Sequence, residues 1–96
     1  MVRRYRIVTP RQFEREVRRL RKRFPRVHAV YERALDLLEI DPFNLENRAD
    51  ISKLVDVRAG EGQFRLRLGD WRLRYDVAGE TVVLHSMRHR RESYRP

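Results

Sequence analysis

Apolar positions recur along this chain in two different periods. Phe13, Val17, Leu20 and Phe24 follow one another at spacings of four, three and four, which gathers them into one narrow stripe on a helix otherwise covered in arginine. Thr9 and Pro10 precede the stripe and Gln12 stands three residues after Thr9. That spacing predicts a capping box, with Thr9 as the cap and Pro10 in the first helical position. Pro25 breaks the pattern and opens a second one, in which Val27, Val30, Tyr31, Ala34, Leu35 and Leu38 form a wider apolar face up to Ile40, before Asp41-Pro42 ends it. The short connection predicts an antiparallel helix hairpin. Its second member carries Glu32, Asp36 and Glu39, which offset part of the positive charge of the first.

After a loop-like stretch from Pro42 to Ser52, the period changes to two. Lys53 to Val57 suggests a short strand, and Gly60-Glu61-Gly62 turns the chain. Then comes QFRLRLGDWRLRYDV, where Phe64, Leu66 and Leu68 alternate with Arg65 and Arg67, and Trp71, Leu73, Tyr75 and Val77 alternate with Arg72, Arg74 and Asp76. Glycine first in a two-residue loop suits a type II′ turn. With Gly69-Asp70 as that turn, Leu68 pairs with Trp71, Leu66 with Leu73 and Phe64 with Tyr75 in the core. The other side then sets Arg67 against Arg72 and Arg65 against Arg74. A third strand runs from Thr81 to Met87; a two-residue loop at Ala78-Gly79 places His85 outward, opposite Arg72, and a three-residue loop turns it inward. Because Val82, Val83 and Leu84 are all apolar, periodicity leaves both open. With Tyr5 to Val8 as a leading strand, the expected architecture is α+β: strand, helix hairpin, then a three- to four-stranded antiparallel sheet covered on its apolar face by the helices.

Length and charge sharpen this picture. The 96 residues fit one domain spanning 1–96. Lys and Arg number 23 against 14 Asp and Glu, a net charge of +9 that draws polyanions such as nucleic acid or an acidic protein. All but Lys22 and Lys53 of the basic residues are arginine, so position rather than number carries meaning. No cysteine is present, which excludes disulfides, thiolate metal sites and a cysteine nucleophile. The start, MVRRYRIVTP, lacks an apolar core of signal-peptide length and no apolar run reaches membrane-spanning length, so a cytoplasmic protein with no membrane partner is expected. His85 and His89 have no accompanying carboxylate cluster, and neither a metal nor another cofactor is expected.

Phase makes the arginines informative. Like charges directly opposite each other in a sheet cost roughly 0.2–1 kcal/mol per pair, a cost relieved by an anion lying over Arg65, Arg67, Arg72 and Arg74. Guanidiniums hold phosphate bidentately but do not exchange protons. Proton transfer therefore falls to His85, His89 or Tyr94, the last a phenol among cations.

Lys53-Leu54, QFRLRLGDWRLRYDV and VVLHSMRHRRESYR, in that order, resemble the RelE/ParE toxin superfamily, where a strand pair written roughly YR-R-GDYR--Y precedes a closing HRRE-YR. The resemblance covers essentially the whole chain and implies a β-α-α-β-β-β toxin fold. One branch of that superfamily cleaves mRNA in the ribosomal A site without metal, by attack of a ribose 2′-hydroxyl on its neighbouring phosphate; another poisons DNA gyrase and performs no chemistry. By the nuclease resemblance, Arg65, Arg67, Arg72 and Arg90 stabilise phosphate charge, Tyr94 accepts the 2′-hydroxyl proton, and Lys53, Arg74 and His89 assist RNA docking. Where well-known nuclease members carry lysines on the first of the two strands, this chain has arginines, so the general acid is left to His89, or to His85 if it faces outward. The resemblance further implies a cognate antitoxin, and the ribosome with its mRNA, as partners. The rival expectations are a gyrase-binding toxin and a non-toxic basic RNA- or ribosome-binding module.

Overall fold

The computed structural model describes residues 4–93. Strand β1 (Arg6–Val8) leads into helices α1 (Arg11–Arg23) and α2 (Val27–Ile40); strands β2 (Asp50–Lys53), β3 (Phe64–Leu68), β4 (Trp71–Ala78) and β5 (Thr81–His89) follow, and a short turn of helix, α3 (Arg90–Ser93), closes the order. The five strands form one mixed sheet in the order β1-β5-β4-β3-β2. The meander from β2 to β5 is antiparallel as expected, and β1 adds a fifth strand by pairing parallel with β5.

Both helices lay their apolar stripes on one face of this sheet. Phe13, Val17 and Leu20 of α1 and Val27, Ala34 and Leu38 of α2 meet Leu66, Trp71, Leu73, Tyr75, Val82, Leu84 and Met87, all buried. The Tyr75 hydroxyl donates to the carbonyl of Pro42 at 2.6 Å. Burial, reinforced by the Asp41 carboxylate, raises the pKa of this phenol, so it is a structural group held in its protonated form.

Local chemistry departs from expectation at the start of α1. Pro10 is the cap residue, without a side-chain capping bond, and the helix begins at Arg11. The Thr9 hydroxyl donates to the Glu14 carboxylate at 2.8 Å, so no capping box forms. The strand expected over 53–57 lies at Asp50–Lys53 instead. Its register sets Ile51 against Leu66, and the apolar letters that suggested the later strand belong to a loop in which Val55 is 84% exposed.

Strand β5 departs in phase as well as length. The turn before it is Gly79-Glu80, since Ala78 pairs with Thr81, and pairing continues to Tyr75 with Leu84 before shifting so that Arg74 meets Ser86. His85 is the extra residue of this bulge. The bulge exists because Val82, Leu84 and Met87 are all buried, which strict alternation cannot achieve. His85 is consequently exposed but not opposite Arg72; that place belongs to Arg88. Beyond Val83, β5 has no pairing with β1, and Glu16 of α1 accepts the Met87 amide at 2.7 Å in its stead.

Candidate functional site

The face of the sheet turned away from the helices carries two cross-strand rows. The first runs Asp50, Arg67, Arg72, Arg88 and the second Ser52, Arg65, Arg74, Ser86, each residue paired with the next. The arginine pairings of the hairpin arise as the turn predicts: Gly69 has φ of +58°, the conformation a type II′ turn requires of its first residue. Arg88 is the member of this candidate site that sequence reasoning missed. Its signal was the continuation of alternation through Met87, Arg88 and His89, readable only once the bulge at His85 has reset the phase.

The rows differ in how their charge is met. At the end of the first, Arg67 Nε stands 3.7 Å from the Asp50 carboxylate, a long and half-exposed ion pair contributing at most about 1 kcal/mol. In the second, Arg74 is bound to the loop that precedes β3, its Nε donating to the Gly62 carbonyl at 2.9 Å and its guanidinium to the Glu61 carbonyl at 2.8 Å. The Nε of Arg65 is buried without a hydrogen-bond partner, a donor whose desolvation is uncompensated.

Asp76, two residues along β4 from Arg74, holds the other polarity of the same loop. Its carboxylate accepts the amides of Gly60 at 2.9 Å, Gln63 at 3.0 Å and Gly62 at 2.8 Å. Burial alone raises this carboxyl's pKa, but the three amides, with a contribution from His85, more than offset that and hold it below the ordinary value. Asp76 and Arg74 thus clasp the Gly60-Glu61-Gly62 turn between them. Gly62 has φ of +76°, and a Cβ there would meet the His85 ring at 3.0 Å and Arg74 Cβ at 3.1 Å, so the loop packs against both.

The remaining candidates divide between the two sides. Arg90 sits at the hairpin turn, its amide donating to the Asp70 carbonyl at 2.6 Å and its guanidinium 3.8 Å from the Asp70 carboxylate, which anchors α3 beside the first row. His89 does not share the arginine face. It pairs with Trp71, stacks on Phe24 at 4.7 Å between centroids, and accepts the Arg91 amide on Nδ1. Lys53 pairs with Phe64 and holds its ammonium 6.0 Å from that ring's centroid, so it too belongs to the helix-side phase. Tyr94 lies outside the described residues. Among the described residues, no group of three or more His, Cys, Asp or Glu could hold a metal ion, and no helix is long and apolar enough to cross a membrane.

Comparison with known proteins agrees with this architecture. The chain is 27% identical to a chain of the RelBE2 toxin–antitoxin complex from Mycobacterium tuberculosis, over 91% of its own length and 99% of that chain, with a TM-score of 0.68. It shares the fold of the RelE–RelB complex from Pyrococcus horikoshii OT3, at 23% identity over 90% and 94% of the two chains and a TM-score of 0.63. The RelB–RelE complex from Methanococcus jannaschii matches at 21% identity over 91% and 94%, with a TM-score of 0.57. No curated protein sequence matches significantly. The family model described as the ParE toxin of type II toxin–antitoxin systems matches residues 5–94. The chain therefore belongs to the ParE toxin family of type II toxin–antitoxin systems, within the RelE/ParE superfamily.

Proposed function

We propose that this toxin is a ribosome-dependent mRNA endoribonuclease whose scissile phosphate lies over the two arginine rows. The observation that carries the reading is the register of Arg67, Arg72 and Arg88, three guanidiniums in one row with a single carboxylate at its end. In this reaction the ribose 2′-oxygen bonds to phosphorus as the bond to the 5′-oxygen breaks, giving a 2′,3′-cyclic phosphate and a 5′-hydroxyl. Negative charge gathers on the non-bridging oxygens in the transition state, where fixed guanidinium donors stabilise it without reorganising. Arg65 adds the charge of its guanidinium from the second row, and Arg90 approaches from the hairpin turn. By the family resemblance, Tyr94 takes the 2′-hydroxyl proton. Arginine cannot supply a proton to the leaving 5′-oxygen. His85, exposed at the bulge beside Arg74, takes that role in preference to His89, which is stacked on the helix side.

Arg74 is a positioning residue here, since its Nε and one terminal nitrogen are bonded to the Gly62 and Glu61 carbonyls. The solved relatives are toxin–antitoxin complexes, and a cognate antitoxin with an acidic segment would neutralise the same face and exclude RNA from it. A second reading, a gyrase-binding toxin that uses the face only for docking, is favoured by the ParE family model. Induction in a bacterium followed by primer extension on translated mRNA separates the two. Ribosome-dependent cuts that fall by about two orders of magnitude in Arg72→Ala and Arg88→Ala support the nuclease. Intact mRNA with trapped gyrase cleavage complexes would replace it by the second reading.

A further inference from the structure

Behind the hairpin turn, on the helix side of the sheet, a cavity of about 380 Å³ opens among Phe24, Pro25, Trp71 and His89, with Arg23 and Arg26 at its sides. We infer that this cavity is a second RNA subsite, which takes one flanking nucleotide of the strand held on the arginine face; the inference rests on the RNA reading of that face.

Three observations carry it. The walls are aromatic and interlocked: Phe24 stacks on His89, and the Trp71 ring meets both edge-on, at 5.2 and 4.9 Å between centroids. Trp71 is buried beneath, and the half-buried Phe24 and His89 rings offer π-surface to a base of any sequence. The charge is of one sign, with two arginines and no carboxylate among the lining residues, which selects an anion-bearing ligand. Arg23 already stands 5.4 Å from the Phe24 centroid, placing a guanidinium beside an aromatic surface where a nucleotide presents phosphate next to base. Finally, the cavity is continuous with the arginine face through the chain itself. Trp71 begins β4 and His89 ends β5, next in the chain to Arg72, Arg88 and Arg90, so a strand leaving the first row reaches the cavity by passing round that end of the sheet to its other face. The volume is at the lower end of small-ligand sites, roughly 300–1,000 Å³, and suits one nucleotide rather than a helix.

Trp71 is the single tryptophan and reports on the cavity directly. The purified toxin is titrated with 2′-O-methyl oligoribonucleotides of about four and about eight nucleotides, too short and long enough respectively to reach past the face. The longer oligomer is expected to quench Trp71 fluorescence saturably and to bind roughly tenfold tighter than the shorter. Arg26→Glu, an exposed position at the start of α2, should abolish that difference while leaving short-oligomer affinity within about twofold, and Arg33→Glu, an equal charge change elsewhere, should not. If the short oligomer binds but length adds neither quenching nor affinity, or if both charge reversals act alike, the subsite is refuted and the arginine face stands. Quenching by an acidic peptide in place of RNA would assign the cavity to a protein partner and overturn the inference. Failure of the short oligomer to bind would remove the RNA reading of the face and this subsite with it.

Discussion

Replacing Asp76 by asparagine tests whether the arginine face depends on its clasp. The carboxylate accepts three amides, two on one oxygen and one on the other. Asparagine keeps one acceptor oxygen and turns its amide group toward the remaining donor. One buried N–H then loses its partner at about 1–3 kcal/mol, and the other two bonds weaken from charge-assisted to neutral. A net loss of about 2–3 kcal/mol is expected at pH 7, out of roughly 5–14 kcal/mol for a domain of this length. At about 4–8 °C per kcal/mol, the melting temperature falls by about 8–24 °C. The pH dependence has a definite sign. The folded-state pKa of Asp76 is depressed, so its contribution is complete above the unfolded value near 4 and fades as pH falls through the lower folded value. Urea titrations followed by Trp71 fluorescence should therefore show the gap between wild type and variant at its full size at neutral pH and shrinking in strong acid. A variant within about 0.5 kcal/mol of wild type at pH 7, or a gap that stays constant down to strongly acidic pH, would refute the reasoning.

Gly62→Ala should cost about 1–3 kcal/mol, from its positive φ and the 3.0 Å approach to His85; Gly60→Ala, with φ of +95° and nothing within 4 Å, should cost only the backbone strain of about 1 kcal/mol in the same thermal melts. Tyr75→Phe removes the buried bond to Pro42 and should lower stability by about 1–2 kcal/mol while leaving growth arrest intact, since the hydroxyl faces away from the arginine rows. Glu16→Ala should speed hydrogen exchange at the Met87 amide by at least tenfold, with exchange at Leu73 and Leu84 much less affected; equal acceleration at all three would mean global destabilisation rather than a lost edge contact.

The hairpin was legible residue by residue because nothing interrupts its alternation and Gly69-Asp70 fixes its register locally. The two helices followed from their apolar spacing, although Pro10 rather than Thr9 caps the first. What the letters did not disclose depends on distant partners. The register of β2 is set by Leu66 across the strand gap, which no property of residues 50–57 reveals. The phase of β5 switches at His85 because three residues spaced two and three apart must all reach the core, and a bulge looks in sequence like ambiguous alternation. That one switch moved Arg88 onto the face, His89 off it and His85 to the level of Arg74. Asp76 was visible as a polar-face residue, but its role depends on a loop thirteen to sixteen residues away in the chain.

The clasp also explains how the sheet tolerates its arginines. Of the pairs brought into opposition, Arg65 with Arg74 is eased by turning Arg74 sideways into two carbonyls, acceptors that carry partial rather than full charge. This lowers the repulsion without cancelling the positive field over the face. Had a carboxylate been placed there, it would have neutralised the site in the free protein and weakened any anion that binds. Asp76 supplies the full negative charge nearby, but spends both oxygens on backbone amides. The one carboxylate in the rows, Asp50, stands at the rim with a 3.7 Å contact that an incoming phosphate can outcompete. The face therefore stays cationic, and whichever anion covers it, RNA or an acidic antitoxin segment, meets Arg74 held in place by neutral carbonyls and Arg67 by a long contact that the anion can displace.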